Sequence, residues 1–139
     1  DVMQVTHSVL DQRLADRFFA AAQALRVGVV VRSVLLKGAL TERADHLPPH
    51  LQPLIDRSRR FRQIVADAKV GCSPAQAAVA FALANPAIHA VLVGVRSVEE
   101  VNDAVQAASL QFPPDLLKRL RELRLDDEAL LNPGTWGTG

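Results

Sequence analysis

The chain has no tyrosine, one cysteine, one methionine and one tryptophan in 139 residues, and aromatic side chains make up 4% of it. A single thiol, Cys72, allows no internal disulfide and no zinc-type cysteine cluster, which fits a reducing compartment. Neither sign of charge dominates, with 16 Lys and Arg against 15 Asp and Glu, so the balance makes no case for a nucleic-acid or acidic partner. Asp, Arg and Lys interrupt every apolar run before it could cross a bilayer, and no basic segment leads into an apolar one as in a secretion signal. These absences describe a soluble, cytoplasmic protein without membrane or nucleic-acid contacts. A chain that opens at Asp1, with its first methionine at Met3, is expected to have a trimmed or processed N-terminus.

What is present suffices for one domain with a real core: 49% of residues are hydrophobic. Two kinds of apolar segment alternate. Residues 2–7 form a short β-type run, and residues 14–25 place Leu14, Phe18, Ala21, Ala22 and Leu25 at helical spacing. Residues 27–33 are β-branched and apolar on both faces, as in a strand of a covered parallel sheet. An irregular stretch over 34–50 precedes an amphipathic helix at 51–68, for which Gly71 is the expected stop. Ser73 and Pro74 open the next helix and Asn85-Pro86 close it. A third strand is expected at 88–93, then helices at 98–107 and 116–123, and a loose, turn-rich tail. The order βαβααβαα implies parallel βα units with right-handed crossovers.

The run VLVGVRS at 91–97 carries the chemistry. An apolar strand breaks at Gly94, and Ser97 stands three residues before Glu100, as in a helix capping box. A strand delivering its chain to a capped helix N-terminus is a layout that binds phosphate, though purely structural turns share it.

Four motifs then coincide. DVMQVTHSVLD at 1–11, VGVVVRSVLLKGAL at 27–40, SPAQAAVAFAL at 73–83 and VLVGVRSVEE at 91–100 resemble, in order and spacing, the C-terminal portion of the aldo-keto reductases. The resemblance implies an α/β fold of parallel βα units, the last three strands of a (β/α)8 TIM barrel, with residues 1–125 as the cofactor-binding part of a partial barrel and 126–139 as a tail. It also implies NADP(H) as cofactor, with NAD(H) as the alternative, bound across the C-terminal strand ends where barrels place their sites.

Carried over by this resemblance, Gln4 would hold the nicotinamide carboxamide, donating and accepting at once. Arg32 stands where many members place a stacking aromatic and would offer its flat guanidinium instead. Ser33, Leu35 and Lys37 would wrap the pyrophosphate. Gly94, Arg96, Ser97 and Glu100 fall in the segment that takes the adenosine 2′-phosphate and ribose, with Asp103 near the adenine. Two departures stand out: Ala104 occupies a position often held by Asn, and Gly94 replaces a lysine of some members, which leaves Arg96 as the phosphate partner.

The larger departure is the missing phenol. The family's Tyr, Lys, Asp and His machinery belongs to the other half of the barrel, so no catalytic residue is assigned here. His7 reads as a packing or site-lining group. The arginines at 57–62 spread around a helix axis as a solvated face, Cys72 reads as a small filler, and His46 and His50 flank Pro48-Pro49 and cannot share a helix face. No metal site is expected. Two readings remain: the nucleotide-binding part of an oxidoreductase completed by other residues, or a non-catalytic interaction subunit that keeps the scaffold. The outer strands, 2–7 and 88–93, lack the lysines and prolines that protect free edges, so a companion chain or self-association is expected to cover them.

Overall fold

A computed structural model describes residues 1–137. Its centre is β2, Gly28–Arg32, whose Val29 and Val31 are fully buried. Strand β1, Val2–Thr6, pairs with it in parallel from Val2 opposite Gly28 to Thr6 opposite Arg32. Strand β3, Ala90–Val91, pairs in parallel on the other side, opposite Val30 and Val31. The order β1-β2-β3 is the one expected from consecutive βα units.

The third strand is shorter than the predicted 88–93. Its ladder is extended by hydrogen bonds from His89 N–H to the Val29 carbonyl, 2.9 Å, and from Leu92 N–H to the Val31 carbonyl, 2.8 Å. The Val29 N–H, however, donates to the His89 ring Nδ1 at 3.1 Å, so a side chain replaces a backbone rung. Ala87 and Ile88 drop into the core instead of lying in the sheet.

The helices follow the apolar pattern with shifted ends. The predicted helix at 14–25 is a 3-10 turn, Arg13–Ala15, and a separate helix α1, Phe18–Ala24. They part at Asp16, which Arg124 holds in a two-pronged ion pair at 2.6 and 2.7 Å. Helix α2, Gln52–Ala68, buries Leu54, Ile55, Phe61, Ile64 and Val65 on one face. Its stop is Lys69, left-handed at φ 52°, two residues before the expected Gly71, which is itself left-handed at φ 70°. Beside that face Arg59 and Arg62 both reach Asp45 at 2.9 Å, while Arg57 donates to the carbonyls of Glu122 and Arg124. Helix α3, Pro74–Leu83, starts at a complete capping box of Ser73 and Gln76. Helices α4, Val98–Ala107, and α5, Pro114–Arg121, follow β3.

Two cores result. One, around Phe19, Val29, Val31, Val79 and Ile88, glues α1 and α3 to the sheet. The other gathers Leu36, Leu40, Leu54, Phe61, Leu120, Leu131 and Trp136 between α2, α3, α5 and the C-terminal segment. The expectation of a loose tail is thereby overturned for the described residues. Helix α6, Glu128–Leu131, and a 3-10 turn, Pro133–Thr135, bring Trp136 to 1% exposure, and its indole N–H donates to the Leu130 carbonyl at 3.2 Å. The tail's last two positions, 138 and 139, lie outside the described residues.

Trp136 is the chain's sole tryptophan, in a protein without tyrosine, so its fluorescence reports this docking alone. Its emission is expected to be blue-shifted and protected from iodide in the native state, and red-shifted with the main unfolding transition. A native spectrum like that of free indole in water would contradict the docked tail.

Candidate cofactor cleft

Parallel sheets leave a crevice where the loops beyond neighbouring strands part. Beyond β2 and β3 here lies an open cleft of about 590 Å³. Its walls are the loop after β2, the start of α3, residues 92–96 after β3, and the inward side of α4.

The loop after β2 is held in an unusual shape. Ser33, Leu36 and Lys37 take left-handed angles (φ 62°, 48° and 53°), and Gly38 follows at φ 87°. For residues with a Cβ this costs on the order of 1–2 kcal/mol each. Local hydrogen bonds oppose that cost: Leu36 N–H to Ser33, Gly38 N–H to Leu35 and Ala39 N–H to Leu36, all at 3.0 Å. Burial of Leu36, Ala39 and Leu40 opposes it further. A side chain at Gly38 would also meet Arg43 Cδ at 3.0 Å, which leaves that position to glycine.

The opposite wall depends on a helix start. Ser97 Oγ accepts from the Glu100 N–H at 3.2 Å, and Glu100 Oε2 accepts from the Arg96 N–H at 2.6 Å. The Glu100 carboxylate is thus turned onto its own backbone. Gln76 ties the two helices beside the cleft, donating to the Asp103 carbonyl and to Gln106 Oε1, both at 3.3 Å.

Of the residues singled out in the sequence, Ser33, Leu35, Lys37, Gly94, Arg96, Glu100 and Asp103 line this one cleft. Gln4, Arg32 and Ser97 do not. Gln4 is exposed in mid-strand opposite Val30, Arg32 points its guanidinium to Ser33 Oγ at 3.4 Å, and Ser97 spends its hydroxyl on the cap. Sequence reasoning missed Thr41, Glu42, Arg43 and Gln76, which also line the cleft. Thr41 was legible as a cap, since its hydroxyl accepts from Arg43 N–H, but only the loop's path brings Arg43 back beside Gly38. Cys72 is half-buried against the larger core, and burial pushes its thiol upward, away from nucleophilic use. His46 and His50 belong to separate 3-10 turns, Glu42–His46 and Pro49–Leu51.

The model of the aldo/keto reductase family matches residues 1–125. The chain belongs to that family. It is 28% identical over 127 residues to an uncharacterized oxidoreductase, YrpG, of Bacillus subtilis strain 168, covering 86% of this chain and 39% of that protein. The fold superposes on aldo-keto reductase AKR11C1 from Bacillus halodurans in its apo and holo forms with TM-scores of 0.69 and 0.70 at 21% identity. Those superpositions cover 96% of this chain and 46% and 45% of the neighbours. A thermostable aldo-keto reductase in complex with the inhibitor epalrestat gives a TM-score of 0.66 at 22% identity, over 88% of this chain and 39% of that one. The chain therefore spans less than half the length of the relatives it matches, and its three parallel strands form an open portion of their barrel.

His7, at the end of β1, is 3% exposed, stacked on Phe81 with centroids 5.9 Å apart and edge-on to Phe19 at 5.1 Å. Its Nδ1 is buried without a hydrogen-bond partner. Burial pushes its pKa down from 6.5 to about 4, against a smaller opposing pull from Asp11. The unfolded chain thus takes up the proton first. Stability contributed by neutral His7 is expected to be intact above pH 6.5 and lost as pH falls towards 4. Urea midpoints measured across this window should fall with acidity, and His7→Leu should flatten that part of the profile. An identical slope in the variant would remove His7 as the cause.

Proposed function

We propose that this aldo/keto reductase chain is the nucleotide-binding portion of an NADP(H)-dependent oxidoreductase, completed by residues outside it. The observation that carries the reading is the convergence of Lys37 and Arg43 from one loop with Arg96 from the other on a single cleft at the strand ends. Carboxylates share the cleft, but that of Glu100 is occupied by the Arg96 N–H. The donor set suits a polyanion with an apolar body: cations for phosphates, and Leu35, Val79, Leu92 and Val93 for the flat portions.

When bound, the nicotinamide would supply hydride transfer. The chain's own part is holding and orienting. Arg96 would take the 2′-phosphate as a charged fork, and Lys37 and Arg43 the pyrophosphate. Gln4 and Arg32, outside the cleft on β1 and at the end of β2, are where the resemblance puts the nicotinamide end of an extended cofactor. With no tyrosine in the chain, the phenolic acid would come from the remainder of the barrel, on the same polypeptide or a companion. That same absence also favours the second reading, a non-catalytic scaffold subunit.

Arg96→Ala is expected to weaken NADPH by about 1.5–3 kcal/mol, roughly ten- to a hundredfold, and NADH much less, since only one of them carries the extra phosphate. Calorimetric titration of both nucleotides checks this, and equal losses would displace the phosphate from Arg96. The purified chain with NADPH and a panel of small aldehydes is expected to show no turnover above background. Activity that persists through repurification would require a proton donor other than tyrosine within these residues.

A further inference from the structure

Ser33, Leu36 and Lys37 hold left-handed angles, and backbone hydrogen bonds between neighbours in the loop oppose this strain. What fixes the loop from beneath is remote in sequence. Leu36, Ala39 and Leu40, none more than 2% exposed, sink into the same core as Leu131 and Trp136.

Trp136 heads the largest fully buried side chains among the described residues, and none of residues 127–136 lines the cleft. The segment is built to stay docked. Asp127 caps α6 through the Ala129 N–H, Asn132 caps the following turn through the Gly134 N–H, and Leu125 N–H donates to the Leu10 carbonyl at 2.9 Å. The caps and the buried Trp136 hold the segment in the core that also takes Leu36, Ala39 and Leu40.

We propose that residues 127–136 are a latch that positions the cleft loop, with Trp136 as the positioning residue, and that nucleotide affinity depends on the latch being docked. The dependence of affinity rests on the nucleotide reading above, whereas the positioning of the loop does not. Undocking the tail lets the strained loop relax, so the cleft loses its wall while every group that would touch the nucleotide remains in the sequence. Cleavage just ahead of α6 would act in the same way.

Hydrogen exchange by mass spectrometry, with parallel NADPH titration, tests both halves on the whole chain. In Trp136→Ala the amides of residues 33–41 should exchange about tenfold faster while those of α3 keep their protection, and NADPH should bind about tenfold more weakly as the competent fraction falls. Trp136→Phe should restore both, and Trp136→Leu should give the same pattern at smaller amplitude if the alanine variant fails to fold. Phe19→Leu, in the separate core against the sheet, should lower the melting temperature without loosening the loop. Unchanged loop exchange in the Trp136 variants, or equal loosening in Phe19→Leu, overturns the latch. Loosening of the loop in a chain that binds no NADPH upholds the latch and overturns its link to the nucleotide.

Discussion

Among the described residues, strand β2 alone has strand neighbours hydrogen-bonded on both sides, and the placement of the cleft walls depends on that constraint. Its register with β3 brings the C-terminal ends of the two strands to one level, so the loop after Arg32 and the turn after Val91 line the same cleft. Its buried valines receive α1 and α3, which sets the angle at which α3 and α4 flank the cleft. Shortening β3 to two residues does not loosen this arrangement, because Leu92 and His89 carry the pairing on either side of it.

The polar groups of the cleft are largely committed to shaping it. Ser97 and Glu100 satisfy backbone donors at the start of α4, Gln76 closes a capping box and bridges to α4, and Thr41 both donates to Gly38 and accepts from Arg43. Helix starts leave several N–H groups without partners inside the helix, so side chains at these positions are drawn to the backbone first. Cations on long side chains, Arg96 and Arg43 among them, are the groups with the reach to meet a ligand.

The outward-facing surface of the open sheet and its helices carries apolar side chains. Helix α4 turns its polar side to α3, through the bonds of Gln76 to Asp103 and Gln106, and leaves Val98, Val101 and Val105 exposed at three- and four-residue spacing. Val2 and Met3 on β1 and Leu92 beyond β3 are exposed at the opposite limits of the sheet. Apolar stripes of this kind are normally covered.

The sequence by itself determined the strand order, the parallel sense, the start of α3 at Ser73 and the family, because these depend on local periodicity, caps and motifs that neighbouring residues encode. It also named part of the cleft: Lys37 and Arg96 were legible through the motifs that carry the family resemblance. Only the tertiary structure decided the rest. Lys69 rather than Gly71 ends α2, the helix expected at 14–25 parts at Asp16, which the distant Arg124 holds, and the tail as far as Trp136 is folded, since Trp136 enters a core built from distant parts of the chain. Arg43 entered the cleft only through the path of a loop whose left-handed turns no propensity at Leu36 or Lys37 announces. Long-range burial outweighs local preference there, and a single sequence displays only the latter.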